Sequence, residues 1–358
     1  MKGPAQKLEV GKETTRKRSA ATDNEDLSPF NQKLLLTSIT ADIDDVHISL
    51  EVIGRTAEYN DIILLKAKAK EDKADIENVF RADNSKYAAD VNEKKIIFIV
   101  HGLSVKGIKY LKCLHENFKL KALLNLYFAH INKFDIFIIP MANPDGFANN
   151  RDEIWDKNMS PRDGCQGVNL DRNFDVAWNG TFAKSSCSQQ YPGPKPFSEP
   201  ETRAIREVFH HYGHKIVGYI NVHSSTFTAL THKGDAVLYP KGFTDEQVDD
   251  DHYIDLKAEI EEAMRDTSFQ VVSVTVDTLY NWYGTVTGTS VDYASTVYGV
   301  PYALEFLMQP YIDDGLGEND ELDYVALIEI WKRVIDTTFI NIYAKINSTE
   351  TWVSGFIR

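Results

Sequence analysis

The chain has 358 residues, 43% of them hydrophobic, enough to bury one sizeable core. With 39 Lys and Arg against 53 Asp and Glu, its formal net charge is −14, which argues against nucleic acid or an anionic membrane surface as a partner. No apolar run approaches the length of a membrane span, and no apolar stretch of signal-peptide type is visible.

Residues 1–29 are polar, with Arg16-Lys17-Arg18 followed by Asp23, Glu25 and Asp26, and read as a disordered tail; residues 30–358 read as a single domain. Strands are predicted near 47–52, 61–67, 96–100, 134–139, 215–222 and 302–306. Helices are predicted over 105–118, 200–212, 249–267 and 322–347, the last with apolar Val325, Ile328, Trp331, Ile335, Phe339 and Ile342 at helical spacing. Strands alternating with helices indicate an α/β domain.

Two of these strands end in a histidine, and a third carries a buried acid. The apolar run Ile96–Val100 stops at His101-Gly102-Leu103-Ser104, the run starting at Ile216 stops at His223, and Glu305 sits inside Tyr302-Ala303-Leu304-Glu305-Phe306. Ligands in open α/β sheets lie beyond the carboxyl ends of the strands. Two histidines and a glutamate delivered there are the parts of a hydrolytic zinc site.

Between them lie Asn143-Pro144-Asp145-Gly146, Trp155-Asp156-Lys157, Asn169-Leu170-Asp171-Arg172-Asn173-Phe174 and Pro196-Phe197-Ser198-Glu199-Pro200-Glu201-Thr202. Taken in this order, the segments resemble the zinc metallocarboxypeptidases of the pancreatic carboxypeptidase A and B kind, over about residues 42–343. The resemblance implies a mixed, mostly eight-stranded sheet covered by helices on both faces. It also implies a zinc ion held by a His-x-x-Glu motif and a later histidine, a ligand set of the kind known in carboxypeptidase A. His101 and His223 take the histidine positions, and Ser104 stands where the glutamate is expected.

A neutral hydroxyl brings no charge to offset the desolvation of a dication, so weak zinc occupancy is expected. The nearby Cys113, His115 and Glu116 lie about three helical turns further along the predicted helix and are not counted as ligands. Ser104→Glu is expected to restore a third ligand, provided that His101 and His223 point into one cleft.

By the same resemblance Glu305 is the general base that activates the metal-bound water. Arg172 grips the terminal carboxylate of the substrate, and Asp171 replaces the asparagine expected beside it. Asp156 replaces the arginine that stabilises the oxyanion, reversing the sign of an interaction often worth about 3–4 kcal/mol. Tyr283 resembles the tyrosine that closes over substrate, and Val291 falls at the base of the specificity pocket, where an apolar residue selects apolar or aromatic termini. The implied partners are peptide or protein C-termini, with no nucleic acid and no membrane span, and the chain is expected to be a monomer.

Cys165 and Cys187 flank the Arg172 segment as the family's disulfide pair does, leaving Cys113 free. The pair, with glycosylation sequons at Asn158, Asn179 and Asn347, points to an extracellular protein; the alternative is a cytoplasmic one. Three functional readings stay open. The chain is a catalytically weak or inactive metallocarboxypeptidase-like protein with a retained groove for peptide C-termini, an active zinc carboxypeptidase releasing apolar or aromatic terminal residues, or a non-catalytic structural or interaction protein.

Overall fold

The computed structural model describes residues 32–41, 43, 45–70, 94–105, 117–149, 155–178, 185–224, 234–246, 251–265, 274–308 and 320–355. In chain order the elements are α1 (Gln32–Ala41), β1 (Val46–Arg55), β2 (Asp61–Ala69), β3 (Ile96–His101), α2 (Asn117–Phe128), β4 (Asp135–Ile139), α3 (Pro144–Ala148) and a 3-10 turn at Leu170–Arg172. They continue with α4 (Pro200–Tyr212), β5 (Ile216–Ser224), β6 (Ala236–Tyr239), α5 (Asp251–Arg265), β7 (Thr275–Thr278), α6 (Leu279–Tyr283), α7 (Ser290–Tyr298), β8 (Tyr302–Met308) and α8 (Asp320–Gly355). The strands form an eight-stranded mixed sheet in the order β1-β2-β4-β3-β5-β8-β6-β7, as the resemblance implies.

The centre of the sheet is parallel, β4 with β3, β3 with β5 and β5 with β8, and its strands are correspondingly apolar on both faces. Every residue of β3, β5 and β8 is buried. The antiparallel β1–β2 hairpin closes one edge, where β1 alternates partly buried with exposed residues. Short β6 and β7, which the sequence reading did not separate from loops, close the other.

Strand alternation sorts the core into two apolar layers. Ile97, Ile99, Ile220, Val222, Leu304 and Phe306 face a layer built with Tyr127 of α2, Leu256 of α5 and Trp331, Ile335 and Phe339 of α8. Phe98, Val100, Tyr219, Ala303 and Leu307 face the opposite layer, with Ile205 and Phe209 of α4 and Val291 and Ala294 of α7. Helix α8 carries its apolar stripe from Trp331 to Ile342 as the spacing predicts, while the side chain of Val325 lies outside the described residues, and the helix ties to the end of α2 through His130 Nε2 and Asp336 Oδ1, 2.8 Å apart.

The predicted helices over 200–212 and 249–267 match α4 and α5 closely. Most of the helix predicted over 105–118 lies outside the described residues, which resume at Asn117 within α2. The tail at residues 1–29 lies outside them as well. Among the described residues no helix is long and apolar enough to cross a membrane.

Candidate active site

Alternation also decides what the carboxyl ends of the strands present. Glu305 lies between Leu304 and Phe306, which face the α8 layer, so its own side chain faces the other way. His223 follows Val222 and likewise faces the α4 and α7 layer. There the two meet Asp171 of the 3-10 turn: one ligand atom from each of Asp171, His223 and Glu305 lies within 4.8 Å of the others, and all three residues are buried.

The turn is held in place by close backbone approach. Gly288, at φ +70°, donates from its N to Val176 O and accepts from Phe174 N, and a Cβ there would lie 2.3 Å from Arg172 O, so no side chain fits. Thr289 caps α7 by accepting from Asp292 N, and the next residue, Ser290, donates its backbone N–H to Asp171 Oδ1 at 2.8 Å. Asn221 Nδ2 in turn donates to Ser290 Oγ at 3.1 Å.

Arg172 folds back onto its own segment, donating to Asp171 O at 2.6 Å, with Nη1 3.6 Å from Asp171 Oδ2. Tyr283 is 42% exposed as a residue, yet its hydroxyl reaches inward and donates to Glu305 Oε1. Burial holds the Glu305 carboxyl above the usual carboxylate range; neighbouring Asp171 pushes it the same way, while His223, Tyr283 and Arg172 pull it back. Val291 is fully buried in the first turn of α7, next to the residue that bonds Asp171.

His101 does not join this group. It continues the face of Ile97 and Ile99, and its Nε2 lies 3.1 Å from Tyr127 Oη on the α2 side of the sheet. Gly102, at φ +66°, turns the chain directly afterwards, where a Cβ would meet Met141 Sδ at 2.8 Å. The metal set that the resemblance implies is therefore dispersed: His101 and His223 face opposite layers, and the third position holds a serine.

Ser104 has a partner of its own. Its Oγ donates to Asp156 Oδ1, whose other oxygen accepts from Asn169 Nδ2 at 3.1 Å. The positions expected to supply a zinc-binding carboxylate and an oxyanion-binding guanidinium thus hold a hydroxyl and a carboxylate that satisfy each other. These residues do not fit zinc in the manner of the family.

Neither the Ser104–Asp156 contact nor the recruitment of Asp171 beside His223 was foreseen from the residues. For Asp171 the signal was its own charge, a carboxylate in place of an amide. The loop before the 3-10 turn is secured by the expected Cys165–Cys187 disulfide; Cys113 lies outside the described residues. Asn158 is no accessible sequon, because it is fully buried and donates to Ser160, Glu199 and Glu201, whereas Asn179 lies outside the described residues.

Comparison with known proteins agrees with this architecture. Rat (Rattus norvegicus) carboxypeptidase A2 is 32% identical over 185 residues, covering 49% of this chain and 41% of the relative. The inactive metallocarboxypeptidase of Arthroderma otae is 27% identical over 231 residues, covering 61% of this chain and 35% of the relative. The chain thus spans less than half the length of either. Bovine thrombin-activatable fibrinolysis inhibitor, solved in complex with tick carboxypeptidase inhibitor, superposes with a TM-score of 0.66 at 20% identity over 90% of this chain and 97% of that one, a likeness of fold. The zinc carboxypeptidase family model matches residues 40–316, and with the sheet, the Arg172 turn and the His223–Glu305 pair in place, the chain belongs to that family.

Proposed function

We propose that this protein does not hydrolyse peptides by the family's zinc mechanism, and that its groove seats the C-terminal end of a peptide or protein on Arg172. The observation that carries the first half is the hydrogen bond from Ser104 to Asp156. A hydroxyl there offers a dication no charge. A buried carboxylate at the oxyanion position opposes the negative charge that develops on a tetrahedral intermediate, whereas a donor at such a position typically contributes about 3–4 kcal/mol.

Arg172 supports the second half. It keeps a guanidinium, suited to bidentate capture of a carboxylate, at the rim of the group, with its side chain 17% exposed. Apolar Val291 favours a terminal side chain such as Phe or Leu. The Cys165–Cys187 disulfide supports an oxidising, extracellular location.

The test combines peptide-release and binding measurements on the full chain. A fluorescently labelled peptide ending in Phe with a free carboxylate is expected to bind and to remain intact. Its C-terminal amide is expected to bind about tenfold more weakly or worse, as is the free acid to Arg172→Gln. Zinc-dependent release of the terminal Phe would restore the active-enzyme reading, which the retained Glu305, Tyr283 and His223 favour. Binding indifferent to amidation would remove Arg172 as the anchor.

A further inference from the structure

We infer that Asp171, His223 and Glu305 form a divalent-metal site of their own, displaced from the ancestral one and specified by the change to an acid at position 171. Three observations meet here. The ligand atoms of the three residues lie within 4.8 Å of one another in a buried setting. His223 is 8% exposed, and its Nε2 is buried with no hydrogen-bond partner among the described residues. Such an orphaned buried nitrogen costs about 1–3 kcal/mol unless something binds it.

The two carboxylates face the same difficulty from the opposite sign. Side by side and out of water, they repel each other, and each spends one oxygen on a neutral donor, Asp171 Oδ1 on Ser290 N and Glu305 Oε1 on Tyr283 Oη. Arg172, 3.6 Å from Asp171 Oδ2, offsets only part of the charge. A dication bound by the imidazole nitrogen and one oxygen of each carboxylate satisfies all three groups at once.

One nitrogen and two oxygens suit a first-row divalent ion, with Zn²⁺ bound more tightly than Mn²⁺. A four-coordinate zinc with bonds of about 2.1 Å keeps its donors about 3.4 Å apart, so side chains now within 4.8 Å need to close by no more than about 1.4 Å. Neither His101 nor Ser104 contributes, since His101 faces Tyr127 and Ser104 bonds Asp156. The site stands whether or not a peptide occupies the groove.

The test is a calorimetric titration of ZnCl₂ into the full chain after chelator treatment. We expect one zinc per chain, with a dissociation constant below about 10 µM. Asp171→Asn keeps an acceptor for Ser290 N while losing the charge, and is expected to weaken binding by at least about 10–100-fold. Ser104→Ala and His101→Gln are expected to stay within about threefold of the wild type. Absence of saturable binding overturns the inference, as does an Asp171→Asn variant that binds like the wild type, or a His101→Gln variant that loses zinc as the acid variant does. Circular dichroism checks each fold; should Asp171→Asn fail to fold, Glu305→Gln carries the same expectation and the same power to overturn.

Discussion

Ser104→Glu returns the residue type that the family resemblance calls for, and in this fold it places a second carboxylate against Asp156. Ser104 Oγ now donates to Asp156 Oδ1, and Asp156 is 8% exposed, so the new charge enters a poorly hydrated setting. Two like charges about 5 Å apart repel by roughly 2–3 kcal/mol at effective dielectric constants of about 20–40. The hydrogen bond lost to a charged acceptor adds about 1.5–3 kcal/mol.

Protonation caps the total, because neutralising a carboxyl of ordinary pKa near neutral pH costs about 4 kcal/mol. We therefore expect Ser104→Glu to destabilise by about 3–4 kcal/mol near neutral pH, and by less in acid. Asp156→Asn should rescue it, since an amide donates to the new carboxylate instead of repelling it. Urea denaturation of the wild type, both single variants, the double variant and Ser104→Ala gives the coupling energy, expected at about 2 kcal/mol or more in favour of the double variant. Coupling below about 0.5 kcal/mol, or a Ser104→Glu variant as stable as Ser104→Ala, would refute the reasoning. Neither glutamate variant should gain a zinc at the ancestral position, because His101 remains on the far face of the sheet.

Reducing the Cys165–Cys187 disulfide, or replacing both cysteines by Ala, should cost roughly 3 kcal/mol for a loop of sequence separation 22; non-reducing peptide mapping and urea midpoints check this. Burial raises the Glu201 carboxyl to about 8 from 4.5, so the folded state holds its proton where the unfolded chain has lost it. Stability is then full below about pH 4.5, falls as pH rises toward about 8 and levels off beyond, and Glu201→Gln should flatten that fall in urea midpoints measured across pH. Tyr127→Phe removes the hydrogen bond to His101 Nε2 and should cost about 1 kcal/mol in thermal or urea unfolding, with zinc binding by calorimetry unchanged.

What could be read from the sequence followed from local pattern. Continuous apolar runs marked β3, β5 and β8, because parallel central strands are buried on both faces, and the stripe from Trp331 to Ile342 marked α8. Glu305 and His223 stood out as polar groups in such runs. Four-residue β6 and β7 carry too few positions to show a period, and nine-residue α7 starts from a Thr289 cap that resembles any turn.

The site's new pairings are non-local. Ser104 and Asp156 lie 52 positions apart and meet only through the packing of their loops, and Asp171 is held beside His223 by the Ser290 N–H at the start of α7, 119 positions further along the chain. His101 is the instructive case: it continues the alternation of Ile97 and Ile99, so its facing was legible in the residues, but the family motif pointed to the cleft.

That facing limits how this lineage can change. Exchanging side chains at 104, 156 and 171 leaves His101 where it is, since no exchange carries an imidazole through a β-sheet. Bringing His101 across requires a one-residue slip of β3, which would turn Ile97 and Ile99 out of one packed layer and Phe98 and Val100 out of the other. Every intermediate on that route unpacks the centre of the molecule. An imidazole is therefore brought into the cleft through β3 only by an insertion or deletion compensated at once, a step that no series of single substitutions supplies.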